Sequence, residues 1–283
     1  MLPRRRFMLI KNLTMSFDSE VRYLTRSPRL PPLPYIKVYG DQTKATVIFV
    51  HGFCSDKDVD KAIRLQTLVT EKGYSFIRFD LTDHGEAVFP CKPGKDPHAR
   101  KLLDFKVWKE DLRLVIEKLT PTENIILIGD SMGVWLSILN IIDLPDDKIK
   151  GLVGISSAVD FFERFNSSFF GADEEKRIAQ GEVVWVRGPY GDYVGAKQLT
   201  DTAIDFQIFG KGKIPVRCPC RFVHRLGDVV ALPETAMLLA KKLESKDVEI
   251  RFKKGGDHRM ANDDDFELMV DAVQQILQLA EKD

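Results

Sequence analysis

A serine between two glycines lies where a predicted strand meets a predicted helix. Residues 129–133 read Gly-Asp-Ser-Met-Gly, after the apolar stretch 124–128 and before a helix-length segment. A G-x-S-x-G pattern in this context is typical of a sharp turn that exposes a serine nucleophile, and small residues avoid collisions with the neighbouring backbone. We therefore predict that Ser131 is a nucleophile. The alternative is that its hydroxyl caps the helix that begins at Met132.

A serine hydroxyl is a weak nucleophile near neutral pH and needs a general base. We predict that this base is His258, which follows the last predicted strand in a loop that begins Gly255-Gly256. A glycine loop at the carboxyl edge of a sheet can carry an imidazole to Ser131. For the other histidines, shaping of loops or local hydrogen bonding is the simpler interpretation; they are His51, His84, His98 and His224.

The imidazole in turn needs an acid that accepts its second N–H. Asp228 lies in a loop after the strand that ends at His224, and it gives the chain order Ser, Asp, His. Asp160, after the preceding strand, is the alternative acid.

An oxyanion that develops during acyl transfer needs N–H donors fixed in advance. The backbone N–H of Met132, at the start of a helix, is one candidate. The other is the N–H of Phe53, in the loop His51-Gly52-Phe53 after the first buried strand. The same three residues also fit a simple tight turn.

Strand-like apolar segments alternate with amphipathic helix-length segments over most of the chain. This alternation predicts an α/β fold with a mostly parallel central sheet and helices on both faces. Strands are predicted at residues 46–51, 74–80, 124–130, 150–156, 220–224 and 248–252, and helices at about 59–72, 104–119, 132–142, 233–244 and 264–280.

Two stretches break the alternation. Residues 1–34 end in a proline-rich segment and are predicted to be a tail, either disordered or a presequence, ahead of one domain at 35–283. Residues 161–213, here called the aromatic insertion, are predicted to form a lid. Its aromatic side chains are expected to cover an apolar acyl chain, with Phe161, Phe162, Phe165 and Trp185 as the candidates.

Composition restricts the partners. The chain has 42 basic and 42 acidic residues, so its charge gives no reason to expect nucleic acid as a partner. Its apolar stretches are too short to span a membrane. Cys218 and Cys220 lack the usual zinc-ligand spacing, and we expect no metal or cofactor. The N-terminus is basic and has no acid before Asp18, which is compatible with a mitochondrial or a cytoplasmic protein. The apolar stretch Phe7–Ile10 is too short for the core of a secretory signal.

The chain from about residue 35 to 279 resembles the α/β-hydrolase family, in particular mitochondrial acyl-protein thioesterases and their bacterial relatives. Matching stretches are residues 76–80 (Phe-Ile-Arg-Phe-Asp), 131–136 (Ser-Met-Gly-Val-Trp-Leu), 215–219 (Pro-Val-Arg-Cys-Pro) and 257–260 (Asp-His-Arg-Met), together with Asp228 and the pair 239–240. The chain departs from its relatives at Val134, Arg225 and Leu232, where glycine, glycine and proline are expected.

The resemblance places the nucleophile, acid and base on Ser131, Asp228 and His258. It implies hydrolysis of long-chain acyl thioesters, such as palmitoylated cysteines, or of acyl glucuronides, so the expected partner is a small-molecule or acylated-protein substrate. Two other hypotheses remain open: a hydrolase fold kept as a binding or receptor protein, and a serine hydrolase that cleaves another bond type.

Overall fold

The computed structural model describes residues 20–88, 102–121 and 124–281. The basic N-terminal segment before Asp18 lies outside these ranges, and so does His98.

The strands are β1 (Arg22–Leu24), β2 (Leu33–Val38), β3 (Thr46–Val50), β4 (Ser75–Phe79), β5 (Ile125–Asp130), β6 (Ile149–Ile155), β7 (Val184–Gly188), β8 (Gly191–Gly195), β9 (Cys220–Arg225) and β10 (Val248–Lys253). The helices are α1 (Asp60–Glu71), α2 (Phe105–Leu119), α3 (Met132–Asp143), α4 (Phe162–Phe169), α5 (Ala172–Ala179), α6 (Lys197–Ile204), α7 (Glu234–Lys242) and α8 (Asp263–Ala280).

A central eight-stranded sheet has the order β1-β2-β4-β3-β5-β6-β9-β10. The pairs β1/β2 and β2/β4 are antiparallel, and every later pair is parallel. The six predicted strands and five predicted helices are all present, with ends that differ by one or two residues. The predicted α/β fold with a mostly parallel sheet is therefore confirmed.

Strand order makes β3 the point where the chain changes direction across the sheet. β4 pairs with one side of β3, and β5 pairs with the other. In open parallel sheets, ligands bind at the carboxyl edge beside such a switch point. The residues that follow β3 and β5 are His51-Gly52-Phe53 and Ser131, so the topology brings these two predicted loops together.

The parallel strands β3, β4, β5, β6 and β9 are buried on both faces, which favours apolar residues along them, whereas the edge strand β10 is only half-buried. Ile48 and Val50 of β3 pack into the larger core with α2, α3 and the aromatic insertion. Val47 and Phe49 point to the opposite face and pack with α1 and α8. In the described residues, no helix has the length and apolar character needed to cross a membrane.

The segment predicted as a tail contributes to the sheet, which corrects that prediction for residues 22–34. β1 lies there, and so does the start of β2. Arg26, between these strands, binds the buried carboxylate of Asp111 in α2 and donates to Thr82 Oγ1 at 2.7 Å. The prolines of this segment predicted turns, but pairing with β1 places Leu33 and Pro34 in a strand.

The aromatic insertion has secondary structure of its own: the helices α4, α5 and α6 and the hairpin β7/β8. Its two ends meet at Asp160, whose carboxylate accepts hydrogen bonds from the N–H groups of Ile208 and Phe209 at 2.9 and 2.8 Å. Trp135 of α3 also donates its indole N–H to the Phe206 carbonyl at 3.1 Å. The insertion is thus anchored on the core directly above α3.

The Arg26–Asp111 pair gives a stability prediction. Burial raises the pKa of Asp111 to about 6 although Arg26 favours its charged form. Arg26→Ala would leave a buried carboxylate unpaired, and we expect a loss of about 3 kcal/mol in the free energy of unfolding at neutral pH. Because Arg26 lowers the pKa of Asp111, its removal raises that pKa further, so Asp111 becomes protonated and uncharged as the pH falls, and the loss should shrink between about pH 7.5 and about pH 5.

Urea unfolding at the two pH values measures this effect. The control is Arg26→Ala in an Asp111→Asn background, where no charge remains to be left unpaired and the loss should be smaller. An equal loss in both backgrounds would contradict the assigned cause.

Candidate active site

Ser131 forms a sharp turn between β5 and α3. Its φ and ψ are 54° and −116°, a backbone conformation that residues other than glycine rarely adopt. Its N–H donates to the Ile155 carbonyl at 2.8 Å, which ties the turn to β6. The hydroxyl makes no capping hydrogen bond to α3, so the helix-cap alternative is not what the structure shows.

Both glycines of the motif are needed for packing. A Cβ on Gly133 would lie 2.0 Å from the Val50 carbonyl oxygen, and a Cβ on Gly129 would lie 2.6 Å from the Val134 nitrogen. Gly133 therefore lets α3 approach the end of β3, and Gly129 lets β5 approach the start of α3, with no side chain between them.

His258 lies between Ser131 and Asp228. Its Nε2 is 3.0 Å from Ser131 Oγ, and its Nδ1 is 2.8 Å from Asp228 Oδ2. The structure brings these three groups together although Ser131 and His258 are 127 residues apart in sequence. Gly255 and Gly256, in the loop that leads to His258, have φ of 68° and 70°, which explains the need for glycine there.

Asp228 is fully enclosed by donors. Its Oδ1 accepts hydrogen bonds from the N–H groups of Val230 and Ala231, both at 2.9 Å. Burial by itself would raise the pKa of Asp228, but hydrogen bonds from His224 and His258 outweigh it and hold the pKa well below its usual range. An ionised Asp228 fixes the proton of His258 on Nδ1, which leaves Nε2 free to accept the Ser131 proton.

Asp160, the alternative acid, does not contact His258. Its carboxylate binds the N–H groups of Ile208 and Phe209 at the base of the aromatic insertion. Its role in the structure is therefore to anchor the insertion.

The loop after β3 lies directly against the serine. A Cβ on Gly52 would be 3.0 Å from Ser131 Cβ, so the following N–H of Phe53 belongs to a segment in contact with the nucleophile. The N–H of Met132 is at the first position of α3, where an α-helix provides no internal acceptor. In the part of the chain that the structure describes, no group accepts a hydrogen bond from either N–H. Both remain predicted oxyanion donors.

A cavity of about 390 Å³ opens onto Ser131 and His258. Its apolar wall includes Phe161 and Phe165, two of the four predicted lid residues. Phe162 and Trp185 are not among the residues that line it. Phe162 instead packs beneath Phe53, with ring centroids 5.5 Å apart.

Two tyrosines of the insertion line the cavity in addition, and the sequence analysis did not single them out. The Tyr190 ring lies 6.3 Å from the His258 ring, and Tyr193 packs edge-on to Phe165 at 5.1 Å between centroids. Tyr190 follows Pro189 in the turn between β7 and β8. The proline could have indicated that turn in the sequence, but not the contact of Tyr190 with the site.

Comparisons with known proteins find similar hydrolases. The family described as serine aminopeptidase S33 (Hydrolase_4) matches residues 41–179. The bovine mitochondrial palmitoyl-protein thioesterase ABHD10 is 27% identical over 266 residues, covering 92% of this chain and 80% of the relative. Mouse ABHD10 superposes with a TM-score of 0.75 at 24% identity, over 92% of this chain and 98% of that one.

A soluble variant of monoglyceride lipase from Saccharomyces cerevisiae, solved with a substrate analogue, has a TM-score of 0.73 at 15% identity and covers 95% of this chain and 97% of that one. The chain has the α/β-hydrolase fold. The thioesterase relatives and the hydrolase family match support the predicted enzyme class, a hydrolase of ester bonds.

Other residues that line the cavity are charged. Lys61 binds Asp130, the residue before the nucleophile, at 2.9 Å. Arg64 binds Asp263 at 3.0 Å and covers the Phe266 ring. The cavity therefore has an aromatic wall formed by the insertion and a polar wall formed by α1 and the loop before α8.

Arg225, one of the departures from the relatives, supports the loop that carries His258. It forms a buried ion pair with Asp265 of α8. Its side chain also lies under Gly256, where a Cβ would be 2.6 Å from Arg225 Cδ. A charged side chain thus joins β9, the His258 loop and the first turn of α8.

The packing at the serine turn gives a second prediction. Gly133→Ala should lower the free energy of unfolding by about 1–3 kcal/mol, because the new methyl group overlaps the Val50 carbonyl. Gly210→Ala is the matched control, since a Cβ there meets no atom within 4 Å. Chemical unfolding of both variants checks this, and equal stabilities would contradict the packing argument.

Proposed function

We propose that this protein is a serine hydrolase that cleaves carboxylic esters or thioesters with an apolar acyl group, through an acyl-enzyme on Ser131. The observation that carries the proposal is the continuous hydrogen-bonded series Ser131–His258–Asp228 at the base of a cavity with an aromatic wall. The ABHD10 relatives, named as palmitoyl-protein thioesterases, support a long-chain acyl thioester as the substrate.

The proposed reaction has two stages. His258 Nε2 removes the Ser131 proton while Oγ attacks the acyl carbonyl, and the negative charge on the carbonyl oxygen is stabilised by the Phe53 and Met132 N–H groups. His258 then gives the proton to the departing alcohol or thiol. A water molecule, activated by the same imidazole, releases the carboxylic acid and restores the serine.

Cavity shape supports an acyl chain as the bound group. Phe161, Phe165, Tyr193 and Val230 form an apolar surface beside the serine. A cavity of about 390 Å³ is within the ordinary size range of small-molecule sites. A mitochondrial location is part of the proposal, supported by the name of the bovine relative and by the basic residues before Asp18.

The triad is tested by labelling the purified protein with a fluorophosphonate probe. We expect rapid labelling of the wild type and none of Ser131→Ala. Asp228→Asn should label roughly 10³–10⁴-fold more slowly, because an amide no longer fixes the His258 tautomer. A folded wild-type protein that does not label would contradict the proposal and favour a binding protein without turnover.

The acyl site is tested with thioesters and esters from acetyl to decanoyl, with an acyl glucuronide and an aminoacyl amide for comparison. Activity should rise with acyl length. Val230→Trp, which fills the apolar wall, should lower decanoyl activity about 10-fold or more while acetyl activity and fluorophosphonate labelling change little. Val229→Trp is the matched control, because Val229 is 63% exposed and does not line the cavity.

An acyl-length profile that is flat in the wild type, or equal losses in the two tryptophan variants, would contradict the assignment of this wall to the acyl chain. Cleavage of the amide alone would instead indicate a peptidase.

A further inference from the structure

A second histidine contacts the acid of the triad. His224 is at the end of β9, is fully buried, and has its Nε2 3.1 Å from Asp228 Oδ2. The same nitrogen is 2.9 Å from the Ala231 carbonyl oxygen. Its other ring nitrogen, Nδ1, is buried and has no hydrogen-bond partner in the described part of the chain.

These contacts determine where the proton of His224 lies. A carboxylate and a carbonyl oxygen are both acceptors, so Nε2 must carry the hydrogen that they share. A second proton on Nδ1 would be a buried donor with no acceptor, which is costly. His224 is therefore a neutral imidazole with an Nε2–H, and it acts as a fixed donor.

Asp228 Oδ2 consequently receives two imidazole N–H groups, one from His224 and one from His258 at 2.8 Å. The other oxygen is occupied by the Val230 and Ala231 N–H groups. Because His224 also binds the Ala231 carbonyl, it spans the acid loop from Asp228 to Ala231 and limits the rotation of the carboxylate.

We propose that His224 is a positioning residue for the triad. Its Nε2–H holds Asp228 Oδ2 toward His258, and this hydrogen bond weakens the effect of the carboxylate charge on His258. The inference rests on the proposed function. Removal of this donor has two consequences. The carboxylate loses orientation, and its charge acts more strongly on His258, so the His258 imidazolium is stabilised and the base stays protonated to a higher pH.

The His224 variants keep all the other titratable or charged groups near this pair. Tyr190 and Arg259 lie on the His258 side, and Asp257 adjoins it in sequence. A change in the pH profile between His224 variants therefore reports the lost donor.

The experiment compares kcat/KM and its pH profile for a short ester in wild type, His224→Leu, His224→Gln and Val223→Ala. We expect His224→Leu to lose about 10- to 100-fold in kcat/KM. The midpoint of the acid limb of its pH profile should shift to a pH higher by roughly half a unit to one unit. His224→Gln retains an N–H donor near the Nε2 position and should recover most of the rate and the wild-type limb.

Val223→Ala is the matched control, because Val223 is the buried neighbour on the same strand and packs into the opposite core. It should lose stability and keep the wild-type pH profile. The inference is overturned if His224→Leu keeps the wild-type rate and profile, if glutamine is no better than leucine, or if Val223→Ala shifts the limb equally.

Should His224→Leu fail to fold, ¹⁵N NMR of the wild-type histidines provides the decisive measurement. His224 should be a neutral Nε2–H tautomer across the active pH range, and an Nδ1–H tautomer or an imidazolium would overturn the inference. Wild-type protein that neither labels nor turns over would instead contradict the proposed function, so the two failures are distinguishable.

Discussion

The strained backbone of Ser131 is the constraint on which the rest of the site depends. A positive φ at a non-glycine residue persists only where the surrounding structure holds it. Here the hydrogen bond to Ile155 fixes one side of the turn, and the contact of Gly133 with the Val50 carbonyl fixes the other. The same contact joins the nucleophile to β3, and so places the loop of Phe53 beside it.

The rest of the site is built from loops that leave the carboxyl edge of the sheet. Parallel strands end at one edge, so the loops after β3, β5, β9 and β10 all open toward the same volume. Each contributes one component: a candidate N–H donor, the serine, the acid and the histidine. Two buried residues of β9, Arg225 and His224, then hold the loops that carry His258 and Asp228.

Sequence reasoning succeeded where local signals were strong. Strands buried on both faces favour apolar residues, and Ser131 and Asp228 each follow such a strand, whereas His258 follows the half-buried edge strand β10. The small residues at 129 and 133 identified the turn because only a close backbone approach requires them. The predicted ends of these strands lie within two residues of the observed ends, because the apolar segments end where the strands end.

Other features depend on contacts that sequence spacing does not reveal. β1 and β2 contain or adjoin prolines, and pairing with β4 overrides the turn signal of those residues. The spacing of Phe162, Phe165 and Phe169 indicates a helical face and could have located α4. Tyr190 and His224, by contrast, gain their positions only when loops fold over the sheet edge, so neither the hairpin tyrosine nor the second histidine could be assigned a contact in advance.

The closed base of the aromatic insertion has a consequence for how such proteins diversify. Both ends of the insertion meet at the Asp160 carboxylate, which binds the N–H groups of Ile208 and Phe209. The chain between them returns to its point of departure before β9 begins, so its length and composition can change without moving the strands that carry the triad. The residues of the insertion that line the cavity can therefore change in evolution while Ser131, Asp228 and His258 keep their positions.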